Sequence, residues 1–225
     1  DTTDDWITSR TGIKERRVVD DQSTCDLALE ASRKALEMAE MKASEIDLVI
    51  LATTTPDKIF PATATMLQDR IGASCPAFDI QAVCAGFVFA LTTAQQYIEN
   101  GVAKNILVVG SETMSKIVDW NDRSTAILFG DGAGAVVVSK DNNTGIKHAK
   151  LCSDGSYLSS LHVNNNGINE TGTIEMAGNE VYKIAVNRLS DLAEESLKDC
   201  NMTSDDLAWM IPHQANIRII SAVAK

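Results

Sequence analysis

Cys84 lies in the run CPAFDIQAVCAGFVFALTTAQQYIENG, where an apolar segment at 76–80 ends among small residues. Phe87, Leu91, Ala94 and Ile98 then recur at helical spacing. The thiol therefore falls between a strand and a helix N-terminus. Unpaired N–H groups and the helix dipole favour negative charge there, so a lowered thiol pKa is expected. A thiolate in that place can accept an acyl group. The plainer alternative is a small buried hydrophobe, a common fate of free cysteine.

The run IPHQAN at 211–216 repeats this layout. An apolar stretch ends at Pro212, and His213 and Asn216 stand before a helical pattern. In open α/β sheets, sites gather beyond the carboxyl ends of strands, so both polar side chains are candidates to work with Cys84. A lone histidine is otherwise often structural. The opening run TTDDWITSRTGIKERRVV joins Trp6, Arg10 and the basic group 14–17. An indole beside arginines suits a planar ring carrying phosphates. The alternative is a surface strand with solvated charges. FGDGAGAVVV at 129–138 looks like a nucleotide loop, but its glycines lead into a β-branched run rather than a helix. Close backbone packing is the better reading of those glycines.

Alternating strand and helix patterns must position these residues. Helices are expected at 23–39, with Leu27, Ala31, Ala35 and Met38 on one side, at 62–71, at 84–99 capped by Gly101, at 179–198, and from Asn216 onward. Strands are expected at 46–53, 76–80, 105–110, within 126–139, after the turn cluster 141–144, and at 207–211. The first is apolar without alternation, as a strand covered on both faces should be. Polar loops are expected at 111–125 and 164–172. The class is α/β, with a boundary near the turn cluster that separates 1–143 from 144–225.

The totals narrow the function. A net charge of −11 argues against a general nucleic-acid binder, which needs basic surface. No apolar run is long enough to span a membrane. The remaining cysteines, 25, 75, 152 and 200, show neither metal-type nor disulfide-type spacing with Cys84, which fits a reducing compartment. The sequons at Asn142, Asn169 and Asn201 read as chance matches in such a setting.

Together DDWITSRTGIKERR, CPAFDIQAVCAGF, ILFGDGAGA, MAGNEVYK and IPHQANIRIISA resemble the β-ketoacyl-acyl-carrier-protein synthase III family, block for block and in order. The resemblance implies a thiolase-like αβαβα sandwich of two similar halves, 1–143 carrying Cys84 and 144–225 carrying His213. It implies a cytoplasmic homodimer that starts type II fatty acid synthesis from acetyl-CoA, or another short acyl-CoA, and malonyl-acyl-carrier protein. No metal or redox cofactor is implied. Cys84 takes the role of acyl-carrying nucleophile and His213 that of catalytic histidine. Trp6 and Arg123 match residues that clasp the adenine of coenzyme A, and Thr2, Arg10 and Asn216 match its tunnel. Phe60 matches a residue reaching the partner subunit's acyl pocket, and Met114 and Leu128 match pocket walls. Arg218 and Lys225, seven apart, match a basic helix that receives the acidic carrier protein. The family also has a strand before the position of Asp1, and beyond that of Lys225 a third catalytic residue, an asparagine, and a glycine-rich hairpin. The chain therefore reads as clipped at both ends, with its second half incomplete. Two rival readings are a related condensing enzyme of polyketide or quinolone synthesis and an inactive module that only holds coenzyme A.

Overall fold

An apolar run without alternation forms a stable strand only if both its faces are covered and both its edges are paired. The computed structural model, which describes residues 2–143, 145–165 and 171–225, meets that demand at 48–52. In chain order the elements are α1 (Asp4–Thr11), α2 (Thr24–Met38), β1 (Leu48–Ala52), α3 (Thr63–Ile71), β2 (Ala77–Ile80), α4 (Gly86–Glu99), β3 (Asn105–Thr113), α5 (Arg123–Ala126), β4 (Asp131–Ser139), β5 (Leu161–Asn165), β6 (Thr171–Met176), α6 (Gly178–Asp199) and α7 (Ile217–Val223). Contacts divide them into two compact units. One is Arg17–Met114 with Asp131–Ile146; the other is Asp1–Arg16 with Ser115–Gly130 and Lys147–Lys225. This division cuts across the boundary at 143/144, and Thr144 itself lies outside the described residues.

The first unit is built on a four-stranded sheet of order β2-β1-β3-β4. β1 runs parallel to β2 and β3, and β4 runs antiparallel to β3. Ile50 pairs with Phe78 on one side and Val108 on the other. Alternate residues face opposite ways. Val49, Leu51, Leu107 and Val109 pack with Leu29, Leu36 and Leu67 of α2 and α3. Leu48, Ile50, Ile106 and Val108 pack with Ala90 and Ala94 of α4. Burial of a large aliphatic side chain is worth about 1.5–3 kcal/mol, so these two layers hold the unit together.

Helix α2 starts where its sequence says. Ser23 accepts a hydrogen bond from the Asp26 N–H, and the Asp26 carboxylate accepts one from the Ser23 N–H at 2.7 Å. The Asp57 carboxylate accepts two more, from the Thr24 and Cys25 N–H groups. The expected stripe holds fully only at Ala35, however: Cys25, Ala28, Leu29, Ser32, Ala35 and Leu36 face inward, Leu27 and Ala31 are half-buried, and Met38 is 88% exposed. Small residues let this helix lie close to the sheet. In α4 the same rule selects Gly86, Ala90 and Ala94, leaving Phe87 exposed. Gly101 follows the α4 cap with φ +71°, and the Val102 N–H returns to the Tyr97 carbonyl, as a helix-stopping glycine requires. The close packing expected at the 129–138 glycines is not found. A Cβ built on Gly132 or Gly134 meets no atom within 4 Å.

The second unit contains α1, α5, the antiparallel pair β5–β6, α6 and α7. Its opening segment is a helix, not the surface strand that was the alternative reading. Thr3 caps α1, and Gly12 ends it at φ +75°. A Cβ on Gly12 would stand 3.0 Å from Ile217 Cβ, so both its conformation and its close approach to α7 favour glycine. β5 and β6 reach into the expected loop at 164–172 from both ends, while 166–170, including Asn169, lie outside the described residues. Two expected strands are absent. Residues 145–151 have no regular structure, and neither do 207–211, where Trp209 is 83% and Ile211 85% exposed. A strand needs a hydrogen-bonded neighbour, and among the described residues none lies beside them.

Candidate active site

In the first unit the chain leaves β2 at Ile80 and turns into α4 through a 3-10 turn, Val83–Ala85, with Cys84 at its centre. The turn is closed by the Ala85 N–H on the Ala82 carbonyl at 3.0 Å. Val83 has φ +48°. A β-branched side chain is a true outlier there, and such a residue costs about 1–3 kcal/mol. The packed sheet supplies the restraint. Gly86 follows directly, and a Cβ built on it would meet the Ala52 side chain at 3.2 Å, at the carboxyl end of β1. Cys84 is thus fixed beyond the carboxyl ends of parallel strands.

The expected lowering of its pKa is corrected by the structure. Burial pushes the Cys84 thiol up, and the negative charge of Glu112 adds to that rise; a backbone N–H works the other way. The residue keeps an open surface, but the protein gathered around its sulfur desolvates the thiolate. Glu112, the penultimate residue of β3, was not singled out from the sequence. Its carboxylate accepts hydrogen bonds from the Thr54 N–H at 2.7 Å, the Thr55 N–H at 3.1 Å and the Thr55 hydroxyl. Burial raises its own pKa, opposed by those bonds. The only sequence signal was an acid directly after a buried strand. Cys25, in the first turn of α2, is fully buried with its thiol also raised, so it offers no accessible rival. Phe60 stands 83% exposed in the same unit beside the exposed Ile59, and Met114 opens a 3-10 turn after β3.

In the second unit three of the residues matched to coenzyme A contacts, Trp6, Arg10 and Arg123, come together. The Arg10 guanidinium carbon lies 4.3 Å from the Trp6 ring centroid and that of Arg123 lies 4.7 Å away. Arg10 sits one turn after Trp6 on α1, and Arg123 begins α5, which Asp122 caps through the Ser124 N–H. A groove of about 500 Å³ runs along this cluster, lined among others by Thr2, Ile7, Arg16, Trp120, Asn121 and Arg123. Arg16 donates through Nε to the Ile127 carbonyl at 2.9 Å and through Nη1 to the Lys14 carbonyl at 3.2 Å. Its Nη2 is buried without a hydrogen-bond partner. Leu128 follows α5, with its N–H on the Thr125 carbonyl.

His213 and Asn216 lie on the approach to α7. His213 keeps an open surface, but the protein gathered around its ring lowers its pKa by desolvation, which favours a neutral imidazole near pH 7. The Asn216 Oδ1 accepts from the Ile219 N–H at 3.0 Å and caps α7. The Arg218 guanidinium, in the first turn of α7, covers the Tyr182 ring of α6 at 5.5 Å.

Among the described residues no helix is long and apolar enough to cross a membrane, and no cluster of three or more His, Cys, Asp or Glu could hold a metal ion. The family profile described as 3-Oxoacyl-[acyl-carrier-protein (ACP)] synthase III matches residues 78–155. The whole chain is 68% identical, over 224 residues, to 71% of the beta-ketoacyl-[acyl-carrier-protein] synthase III of Vesicomyosocius okutanii subsp. Calyptogena okutanii. It is 52% identical to 72% of the enzyme of that name from Neisseria meningitidis serogroup A. The crystal structure of 3-oxoacyl-[acyl-carrier-protein] synthase III from Aquifex aeolicus superposes with a TM-score of 0.95 at 44% identity, over 99% of this chain and 71% of that one. The priming beta-ketosynthase of the R1128 polyketide pathway gives 0.93 at 37% identity, over 99% and 69%. The fold is the thiolase-like α/β fold of these enzymes.

Proposed function

The chain belongs to the 3-oxoacyl-[acyl-carrier-protein] synthase III family, and from that premise we propose that it starts fatty acid synthesis by joining acetyl-CoA, or another short acyl-CoA, to malonyl-acyl-carrier protein. The observation that carries this reading is the turn holding Cys84 between β2 and α4 with Val83 in the left-handed region. The Cys84 sulfur attacks the thioester carbonyl of acetyl-CoA. Its proton leaves with the departing coenzyme A thiol, and an acetyl thioester remains on the enzyme. Malonyl-acyl-carrier protein then loses carbon dioxide, and the electron pair of the broken C–C bond becomes an enolate. His213, its ring kept neutral by desolvation, donates a ring N–H to the enolate oxygen. The enolate carbon attacks the acetyl carbonyl, and the Cys84 thiolate departs and is reprotonated. Acetoacetyl-acyl-carrier protein is the product.

The raised Cys84 pKa suits this cycle, because a thiol that is protonated at rest resists adventitious alkylation and oxidation. Thr2, Trp6, Arg10, Arg123 and Asn216 hold coenzyme A, which is a substrate; no metal or redox group is needed. Exposed Phe60 reaches a second copy of the chain in a homodimer, and Met114 and Leu128 bound the acyl pocket. Arg218 and Lys225 belong to the carrier-protein surface. The halves 1–143 and 144–225 are the two related repeats. The protein works in the cytoplasm, away from membranes and nucleic acid.

Incubation with acetyl-CoA followed by peptide mass mapping tests the first half-reaction. Acetyl label is expected on Cys84; label on Cys25 or Cys75 with Cys84 bare would sink the assignment. A protein that binds coenzyme A but forms no acyl-enzyme is the inactive module instead. Likeness to the polyketide-priming synthase favours one second reading, in which the acceptor is a polyketide carrier protein. Turnover with each malonyl-carrier protein, and with malonyl-CoA, separates the two.

A further inference from the structure

The loop between β1 and α3, residues 53–62, carries the exposed pair Ile59 and Phe60, yet the backbone on either side of them is fastened from three elements. Glu112 of β3 accepts the Thr54 N–H at 2.7 Å, the Thr55 N–H at 3.1 Å and the Thr55 hydroxyl. Asp57 takes the Thr24 and Cys25 N–H groups of α2, and its own N–H reaches the Thr63 hydroxyl at 3.1 Å. Asp79 of β2 accepts the Thr63 and Ala64 N–H groups that open α3. A loop moored this way cannot turn its two apolar side chains inward, so its fastening imposes their exposure.

The polarity of the Glu112 contacts is one-sided. The N–H groups can only donate. The Thr55 hydroxyl oxygen already accepts from the Thr113 N–H at 2.9 Å, which leaves its hydrogen for Glu112. The Thr53 hydroxyl accepts from the Thr55 N–H at 3.1 Å and donates to Glu112 at 3.4 Å. Burial favours the neutral acid, and these bonds oppose it. The site thus matches an ionised carboxylate, an acceptor at both oxygens. Glutamine has the same shape but would set an amide N–H2 against donors, which leaves groups unpaired in a half-dry place.

Resting on the reading that Phe60 reaches the acyl pocket of a second copy, we infer that Glu112 is a positioning residue for acyl-chain selection: by holding Thr54 and Thr55 it fixes the loop that aims Phe60. A pocket wall supplied from a loop is as firm as the mooring of that loop.

Rates of Cys84 acylation by butyryl-CoA and by acetyl-CoA, read by intact mass on the full protein, test the assignment. The readout is the ratio of the two rates. Changes in thiolate fraction or in folded fraction cancel in it, so a charge effect on Cys84 or a mere loss of stability leaves it unmoved. Phe60→Ala should raise the ratio by at least ~10-fold, the discrimination of one methylene's width in an apolar pocket. Glu112→Gln should raise it severalfold in the wild-type background and no further in the Phe60→Ala background, because both act through one wall. Thr55→Ser, which keeps the hydroxyl, should hold the wild-type ratio, and Thr55→Val should raise it. If Phe60→Ala raises the ratio while Glu112→Gln leaves it at the wild-type value, or if the two effects multiply in the double variant, Glu112 does not act through Phe60 and the inference falls. If Glu112→Gln does not fold, Thr55→Val is measured in its place, with the same two outcomes. A ratio unchanged by Phe60→Ala would instead overturn the pocket reading on which the inference stands.

Discussion

Two junctions in this chain look alike as sequence and differ as structure. PAFDIQAVC and LAWMIPH each place an apolar run ahead of a reactive side chain and a helix. At the first, β2 pairs with β1, helices cover the sheet, and Val83 is held in a conformation it would not adopt alone. At the second no strand forms among the described residues, Trp209 and Ile211 are exposed, and the ordered feature is α7 with its Asn216 cap. An apolar run states a demand for cover. Only neighbouring strands decide whether the demand is met. Cys84 therefore follows a paired and covered strand, whereas the described segment leading to His213 has no regular structure.

The sharpest break of this contrast is Cys84→Ala, which should abolish acetyl label entirely as read by intact mass after acetyl-CoA treatment. Residual label at wild-type level would place the nucleophile elsewhere. Next is His213→Ala. Loss of one positioned donor costs roughly 100- to 1000-fold, and that loss should fall on decarboxylative condensation rather than on acetyl transfer to Cys84. Single-turnover rates of the two half-reactions measure it, and equal losses would contradict separate roles for the two junctions. Third is the charge behind the cysteine. Burial and Glu112 both hold the Cys84 thiol above its ordinary 9.0, so iodoacetamide alkylation should keep accelerating with pH through that value. Glu112→Gln removes a negative charge that opposes the thiolate, so the profile should move to lower pH; an unmoved profile would show that Glu112 serves only the Thr53–Thr55 turn. The smallest effect is expected at Arg218→Glu. An exposed charge pair is worth only ~0–1 kcal/mol, so the KM for malonyl-acyl-carrier protein should rise modestly and lose some of its salt dependence, while acetylation of Cys84 is spared. An unchanged KM would move carrier docking away from α7.

The sequence announced some features through local chemistry. Ser23 and Asp26 marked the start of α2 because capping is settled within four residues. The lack of alternation at 48–52 announced a strand covered twice, and Gly101 announced the end of α4. The place of Cys84 between a strand and a helix was legible from its block. Other features depended on distant partners. Which stripe of α2 faces inward was decided by how closely its small residues could approach the sheet, so Met38 was misread. The Cys84 pKa was misjudged because a helix N-terminus can be read from neighbours in sequence. Desolvation and the Glu112 charge come from residues folded in from elsewhere. Trp120 carried no motif, since a half-wet ring beside a groove emerges only once the groove exists.

The approach of Gly12 to Ile217 has a consequence in time. Roughly two hundred residues separate them. At a ribosomal pace of about 5–20 residues per second, the first helix must wait some 10–40 s for the residue that will press against it. The sheet with β1 at its centre, whose last strand ends at Ser139, has all its strands far sooner. The nascent chain can thus complete the frame around Cys84 while the helix bearing Trp6 still lacks its packing partner.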